Sequence, residues 1–245
     1  MCKILEEVDS LRNELSKMRP LTKGELKRLR ETFVEEYTYN STAIEGSTLT
    51  LSETRLVLEG LTVSGKPLRY HLEAFGHKEA FDFIEENIDS ELSEILIRQI
   101  HSLVLADRPR DAGTYRRIPV RISGASIIPP DPVVIPEMME NLIHDYNNNK
   151  QHTLVKSAVF HLKFESIHHF IDGNGRTGRL LLNMSLMKEG WLPVDVKFSD
   201  RVKYYDAFED FQKSGSPEKM IFLIAGYERQ RLSERIALLT PDAAL

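Results

Sequence analysis

The chain has 245 residues, a length that fits one domain, or one domain with an appendage, around a sizeable hydrophobic core. Hydrophobic residues make up 41% and charged residues 28%, which is typical of a soluble globular protein. The net charge of −5 disfavours a surface built for nucleic acid, and the single cysteine, Cys2, excludes an internal disulfide and a cysteine-based zinc site. No stretch approaches the roughly 20 apolar residues of a membrane span. We therefore expect a cytoplasmic protein without membrane or nucleic-acid partners.

Helical periodicity dominates the first 60 residues. Apolar residues at helical spacing predict a first helix that Pro20 ends; they are Ile4, Leu5, Val8, Leu11 and Leu15. Thr22 and Glu25 form a capping-box pattern that opens a second helix, and Thr50 and Glu53 repeat the pattern before a third. The predicted inward face of the second helix consists of Leu26, Leu29, Phe33 and Tyr37.

Further helical patterns cover 71–88, 91–106, 137–146, 153–166, 174–189, 199–211 and 217–238. Residues 118–134 break this pattern, because β-branched residues surround a Ser-Gly pair and prolines follow at 129, 130 and 132. This composition predicts a short hairpin followed by an extended loop. We therefore predict an all-α helical bundle with a small β-hairpin. Residues 1–60 would form N-terminal helices and 61–245 the main body.

The densest chemistry lies between His168 and Arg179, which read HHFIDGNGRTGR. The Gly-Asn-Gly sequence at 173–175 comes directly before an apolar helical run. The free N–H groups and the dipole of a helix start favour a bound phosphate, and glycines allow it to approach closely. Arg176 and Arg179 are three residues apart, so they share a helix face and can reach the same anion.

Two other side chains flank this predicted phosphate site. Asp172 is positioned to hold a hard cation such as Mg²⁺ against phosphate oxygens. His168, four residues earlier, could take a proton from an attacking hydroxyl. Each feature alone has a commoner structural explanation: a turn that closes a loop, arginines in surface ion pairs, a histidine in the core. Their combination at this spacing favours phosphate chemistry, without a Walker or dinucleotide motif.

Residues 164–183, FESIHHFIDGNGRTGRLLLN, resemble the signature of Fic-domain proteins, HxFx[DE]GNGRxxR. Every fixed position of the signature is met: His168, Phe170, Asp172, Gly173, Asn174, Gly175, Arg176 and Arg179. Further matching residues extend the resemblance over roughly 41–227. Most members have proline after the first histidine, where this chain has His169, and the loop loses the rigidity that proline gives. The pair His168 and His169 also leaves a transition-metal site open, although adjacent side chains seldom point at one ion.

The resemblance implies a protein adenylyltransferase, a nucleotidyltransferase that uses ATP and Mg²⁺ and releases pyrophosphate. In this interpretation His168 takes the proton of a Ser, Thr or Tyr hydroxyl on a protein substrate, and Asp172 holds Mg²⁺ between the α- and β-phosphates. The phosphates are bound by the cradle residues Gly173, Asn174, Gly175, Arg176 and Arg179. Phe170 belongs to the core, and Tyr204 or Tyr205 either lines the adenine pocket or packs in the core.

The predicted hairpin corresponds to the flap of this family, which holds a target segment by strand-like pairing. Its predicted target-binding residues are Val120, Ile122, Ile127 and Ile128. The alternative is that these apolar side chains pack the hairpin down onto the fold.

Residues 41–46, Ser-Thr-Ala-Ile-Glu-Gly, resemble the inhibitory motif [ST]xxxE[GN] of the same family. Ser41 and Glu45 are four residues apart and share a helix face, and Gly46 can end the helix. The resemblance implies that Glu45 pairs with Arg179 and denies this arginine to the γ-phosphate of ATP, so that the chain inhibits itself. The alternative is a plain helix end with a solvated glutamate.

Other functions remain open from the sequence. The enzyme could also remove AMP, with Glu45 positioning a water molecule, or it could transfer phosphate or another nucleotide. A non-catalytic nucleotide sensor would not need His168, and the acidic net charge does not support a DNA-binding regulator. The expected partner is a protein with a hydroxyl side chain, the chain itself included. A homo-oligomer is compatible with the sequence, which identifies no interface.

Overall fold

The structure, a computed structural model, describes residues 1–121 and 128–240. Helices dominate this part of the chain, and no sheet is found in it, so the predicted all-α class is confirmed. The ten helices described are α1 (Cys2–Ser16), α2 (Lys23–Ile44), α3 (Leu51–Leu58), α4 (Leu68–Glu86), α5 (Glu94–Val104), α6 (Ile135–Asn148), α7 (Thr153–Ile167), α8 (Asn174–Lys188), α9 (Arg201–Ser214) and α10 (Glu218–Leu239). Short 3₁₀ turns at Pro132–Val134 and Phe198–Asp200 precede α6 and α9.

Both predicted capping boxes are confirmed. The Thr22 hydroxyl accepts a hydrogen bond from the Glu25 N–H at 3.2 Å, and the Glu25 carboxylate accepts one from the Thr22 N–H at 2.7 Å. Thr50 and Glu53 repeat these contacts at the start of α3. A side-chain cap of this kind stabilises a helix by about 1 kcal/mol, and two such caps fix where α2 and α3 begin.

Two sequence predictions about the first helices need correction. Helix α1 ends at Ser16, so Pro20 lies in the connection and does not itself end the helix. Leu26 is 50% exposed, although the apolar period placed it inward. The first buried residue of α2 is Phe33, because only the later turns of this helix pack against the rest of the fold.

The core is organised around α8, which is buried along most of its length. Leu180 and Leu181 pack into a cluster with residues of α2, α4, α5, α6 and α7. Leu182 and Leu186, on the other side of the helix, pack into a second cluster with residues of α1, α7, α9 and α10. Because both sides of α8 are packed, the loop that precedes it is held in a fixed place.

The N-terminal helices share these clusters with the main body. Phe33 and Tyr37 of α2 lie in the first cluster, and Val8 of α1 and Ile44 of α2 lie in the second. The predicted division at residue 60 therefore does not coincide with a change of core, and it stays a prediction. Across 1–121 and 128–240, none of the helices is both long enough and apolar enough to cross a membrane.

Candidate active site

The loop between α7 and α8 brings the signature residues together. His168 is the C-cap residue of α7, and its φ of 49° lies in the left-handed region. Gly173 is the N-cap residue of α8, and its φ of 77° lies in the same region. The Asn174 side chain fixes the loop between them, since its Oδ1 accepts from the Phe170 N–H and its Nδ2 donates to the Phe170 carbonyl, both at 3.0 Å. Asn174 therefore shapes the loop with its side chain.

The first turn of α8 supplies an anion cradle. The first intrahelical bond at this end runs from the Thr177 N–H to the Gly173 carbonyl, at 3.0 Å. The N–H groups of the residues before Thr177 have no partner within the helix and point toward the loop side, together with the positive end of the helix dipole. Such a helix start is a binding site for phosphate or carboxylate groups.

Arg179 lies below this cradle and is almost completely buried. Its guanidinium donates to the Ser41 hydroxyl at 3.0 Å, to the Ser41 carbonyl at 2.8 Å, to Glu45 Oε1 at 2.8 Å and to the Tyr204 hydroxyl at 3.4 Å. Burial alone lowers the pKa of Arg179, but Tyr204 and Glu45 outweigh it and raise this pKa, so the guanidinium stays charged. The donors of the arginine are thus largely used by its own chain.

Glu45 reaches into the cradle from the end of α2. Glu45 is the C-cap residue of α2, and Gly46 follows with a φ of 97°, which glycine adopts readily. A β-carbon at Gly175 would clash with Glu45 Oε1, so the glutamate lies directly against the first turn of α8. The structure therefore brings Ser41, Glu45 and Arg179 into one contact network, as the motif at 41–46 predicts.

Asp172 and Arg176 form the other side of the cradle. Arg176 Nη2 donates to Asp172 Oδ1 at 3.3 Å, and Arg176 Nη1 lies 3.8 Å from Glu73 Oε1. Among the residues that the structure describes, Arg176 Nε and Nη1 are buried without a hydrogen-bond partner. Arg176 therefore contributes a buried positive charge beneath the first turn of α8.

The Asp172 carboxylate also pairs with Arg108, from the loop after α5. Burial acts to raise the pKa of Asp172, but Arg176 and Arg108 outweigh it, so this pKa is lower than usual and the group is ionised at neutral pH. The carboxylate is 40% exposed, and its Oδ1 also accepts from the Gly173 N–H. One charged, accessible oxygen ligand is what a phosphate-bound Mg²⁺ needs from a protein, so the donor set fits this ion.

His168 lines the same cavity as Arg179. Its pKa is lowered by burial and then by the nearby Arg116 charge, so its imidazole is neutral and can accept a proton. Its Nδ1 is buried without a hydrogen-bond partner in the described part of the chain, which leaves Nε2 as the nitrogen available to a substrate.

A cavity of about 730 Å³ connects these groups. It is lined on one side by His168, Asp172 and the cradle, and on the other by Glu45 and α9. Tyr204 and Tyr205 both line it. The Tyr204 hydroxyl is hydrogen-bonded to His161 Nε2 at 2.7 Å, whereas Tyr205 is about half exposed and donates to the Ile44 carbonyl at 3.2 Å. The volume is that of a pocket for a nucleotide-sized ligand.

Known proteins share this architecture. The protein adenylyltransferase Fic of Drosophila melanogaster is 35% identical over 210 residues, which are 82% of this chain and 42% of that protein. The Fic/DOC family matches residues 91–186. A solved structure of a Fic-1 fragment from C. elegans is 30% identical with a TM-score of 0.84, covering 96% of this chain and 71% of that one. The chain belongs to the Fic/DOC family.

The Fic chain spans less than half the length of its Drosophila relative. A further solved structure, a Fic domain-containing signaling protein from Bacteroides thetaiotaomicron, is 25% identical with a TM-score of 0.83, and the match covers 95% of this chain and 96% of that one. The family resemblance predicted from the sequence is therefore confirmed, and the match extends over nearly the whole chain.

The departure from the Fic signature, His169, is a core residue. It is fully buried, and its ring packs edge-on against Phe164 and Tyr115 at centroid distances of 4.3 and 5.2 Å. Burial lowers its pKa well below the usual value, so the ring is neutral. Over 1–121 and 128–240, no group of three His, Cys, Asp or Glu side chains is arranged to hold a metal ion. A transition-metal site at His168 and His169 thus has no ligand set there.

The structure describes two of the four predicted flap residues. Val120 is half-buried and Ile128 is exposed, while Ile122 and Ile127 lie outside the described residues. The predicted hairpin itself falls mostly on 122–127 and stays a prediction. The one β-bridge in the described chain joins Tyr115 to Phe170, between the segment before the predicted flap and the loop that connects α7 to α8.

The sequence analysis missed several residues of the Fic site. His101 Nδ1 accepts from the Gly113 N–H, its Nε2 donates to the Asp172 carbonyl, both at 2.9 Å, and its ring stacks on Phe170. Glu165 lines the pocket, and burial, aided by Glu45, raises its pKa to about 8. Neither residue is a fixed position of the signature, and nothing in its local sequence distinguishes it from an ordinary helix position.

Proposed function

We propose that this Fic chain is a protein adenylyltransferase, which transfers AMP from ATP to a Ser, Thr or Tyr hydroxyl of a protein and is inhibited by its own Glu45. The observation that carries this proposal is the arrangement along one cradle of a neutral imidazole, His168, and a buried cation, Arg179. The Drosophila relative bears the name protein adenylyltransferase. A proton acceptor at one end and a phosphate-binding cation at the other suit the transfer of a group from a nucleoside triphosphate.

The triphosphate would lie along the start of α8. The free N–H groups of the first turn would bind the phosphates near the α- and β-positions, and the buried charge of Arg176 would help to neutralise them. Arg179, deeper in the site, would bind the terminal phosphate. The cavity beside α9 would take the adenosine, with Tyr205 as the exposed aromatic side chain that can contact the base.

Asp172 would hold Mg²⁺ in the nucleotide complex, and this ion supplies neutralisation of the phosphate charge. The depressed pKa of the carboxyl, which Arg176 and Arg108 maintain against burial, keeps it ionised for this role. Because Arg108 pairs with the same carboxylate, a divalent cation would have to displace this arginine or share the group with it.

In the transfer step the hydroxyl oxygen of the target would form a bond to the α-phosphorus of ATP. The bond between this phosphorus and the bridging oxygen would break, and its electron pair would leave with pyrophosphate. The proton of the hydroxyl would pass to His168 Nε2. The rate of such a step depends mainly on positioning and on stabilisation of the phosphate charge, which the cradle provides.

Inhibition would follow from the contacts of Arg179. As long as Glu45 and Ser41 occupy its guanidinium, the terminal phosphate lacks its cation, and ATP would bind with the α-phosphate displaced from the line of attack. A displacement on the order of 1 Å costs about a hundredfold in rate. Full exclusion of the nucleotide is therefore not needed.

Transfer of label from α-labelled ATP to protein tests this function. Wild type, Glu45→Gly, and Glu45→Gly combined with His168→Ala would be compared with Mg²⁺ and a cell lysate as source of targets. We expect weak labelling by wild type, strong labelling by Glu45→Gly and none by the double variant. If Glu45→Gly binds ATP but labels nothing, a nucleotide sensor becomes the better interpretation. Equal labelling by the double variant would exclude His168 as the base.

A further inference from the structure

The backbone of His168 is strained. Among the residues that the structure describes, it is the only one other than glycine with a positive φ, and its φ and ψ are 49° and 54°. A non-glycine residue in this region costs about 1–2 kcal/mol, so the conformation persists only where neighbouring groups hold it. This conformation sets the directions of the His168 carbonyl and imidazole. The groups that hold the conformation therefore also matter for catalysis.

The support comes from the segment before the predicted flap. The Arg116 N–H donates to the His169 carbonyl at 2.9 Å, and Tyr115 forms an antiparallel bridge with Phe170. Arg116 Nε donates to the carbonyl of His168 itself, at 2.7 Å. The side chain of Arg116 therefore contacts the strained residue directly, on the carbonyl that the left-handed turn exposes.

The remaining donors of Arg116 bind two backbone carbonyls. Nη1 donates to the Ile118 carbonyl at 3.0 Å, and Nη2 donates to the Pro130 carbonyl at 2.6 Å. These carbonyls lie on either side of residues 122–127. Arg116 is only 5% exposed, and its three side-chain hydrogen bonds all go to backbone carbonyls.

We propose, building on the adenylyltransferase function, that Arg116 is a positioning residue that holds His168 in its strained conformation and ties its loop to the backbone at Ile118 and Pro130. The imidazole of His168 is thereby held in the orientation in which it takes the proton of the target hydroxyl. Nucleotide binding does not depend on Arg116, because its donors reach none of the cradle residues 173–179.

Only arginine can meet this geometry. Its planar guanidinium spreads its N–H donors over three acceptors at once, whereas the single ammonium group of lysine cannot reach three carbonyls on different segments. Its charge has a separate effect, because after burial it is the next cause that lowers the pKa of His168. Lysine and glutamine substitutions therefore separate the role of shape from the role of charge.

The experiment compares Arg116→Lys and Arg116→Gln with Arg117→Gln, an exposed neighbour of the same type, all in the Glu45→Gly chain. ATP affinity is measured by calorimetry, transfer by labelling from α-labelled ATP, and the titration of His168 by NMR. We expect both Arg116 variants to lose roughly a hundredfold in transfer while ATP affinity stays within about threefold. The pKa of His168 should rise in Arg116→Gln and stay low in Arg116→Lys and Arg117→Gln.

Full transfer by Arg116→Lys would overturn the proposal, since charge alone would then suffice. An equal loss of ATP affinity and transfer would also overturn it, because Arg116 would then be needed for the fold or the cradle. If the variants do not fold, hydrogen exchange of the Arg116 Nε proton in the parent chain tests the proposal instead. We expect this proton to be protected, and exchange as fast as that of the Arg117 Nε proton would contradict the proposal. If the Glu45→Gly parent transfers no label, the adenylyltransferase proposal fails, while the proton exchange and the His168 titration still test Arg116.

Discussion

Replacing Glu45 by glutamine removes one charge from the contact network of Arg179 and keeps the size of the side chain. The bond it weakens joins Arg179 Nη2 to Glu45 Oε1 at 2.8 Å, between side chains that are 2% and 31% exposed. A hydrogen bond between charged groups contributes about 1.5–3 kcal/mol, and the exposure of the glutamate favours the low end of this range. We take about 1.5 kcal/mol, which corresponds to a factor of about 10 in the population of Arg179 that is free to bind phosphate.

The assay is the initial rate of label transfer from α-labelled ATP, with thermal unfolding measured on the same samples. Glu45→Gln should raise the rate about tenfold, and Glu45→Gly should raise it further, since glycine removes the side chain altogether. The fold should be kept, because Arg179 retains its bonds to the Ser41 hydroxyl and carbonyl. Glu35→Gln is a matched control: Glu35 lies on the same helix, is 33% exposed and pairs with Arg55 at 2.8 Å. Equal rates for Glu45→Gln, Glu35→Gln and wild type would refute the reasoning.

Two further predictions concern charge. Arg108→Gln should tighten binding of Mn²⁺ to the ATP complex by up to about fivefold, because it removes the cation that pairs with the proposed metal ligand. Binding is measured by a titration followed by electron paramagnetic resonance, with Arg110→Gln as the exposed control. Unchanged or weaker binding by Arg108→Gln would contradict the prediction. Burial holds the pKa of His101 at about 4 and that of His161 at about 3, against an ordinary 6.5. The unfolded chain therefore takes up protons below pH 6.5 that the folded chain does not, and the free energy of unfolding should fall by up to about 1.4 kcal/mol per histidine for each pH unit below that value. Urea unfolding checks this, and a stability that stays constant on acidification below pH 6.5 would contradict it.

Much of the fold could be read from local sequence signals. The capping boxes at Thr22 and Thr50 each need only a residue and its third neighbour, so short-range chemistry identifies where α2 and α3 begin. The bounds of the later helices also follow the apolar period within a few residues. Leu26 shows the limit of this reasoning, because the period indicates a helix face but not how far along the helix its packing begins.

The catalytic motif could be predicted because its residues are close together in the chain. Asp172, Asn174, Arg176 and Arg179 share one loop and one helix start, and the fold needs only to pack α8 to bring them together. The contacts of Arg108 and Arg116 with this loop could not be predicted in this way, because they join residues 64 and 52 positions apart. Their partners are set by how α5 and the following loop pack on α8, which no local pattern contains.

The central claim is that AMP, and not another part of ATP, is transferred to protein. The most direct test incubates the Glu45→Gly chain with α-labelled and, in parallel, with γ-labelled ATP, and measures label that remains on protein after denaturation. The adenylyltransferase account predicts stable label from the α-position and none from the γ-position. Label from the γ-position alone would show phosphate transfer and would contradict the account.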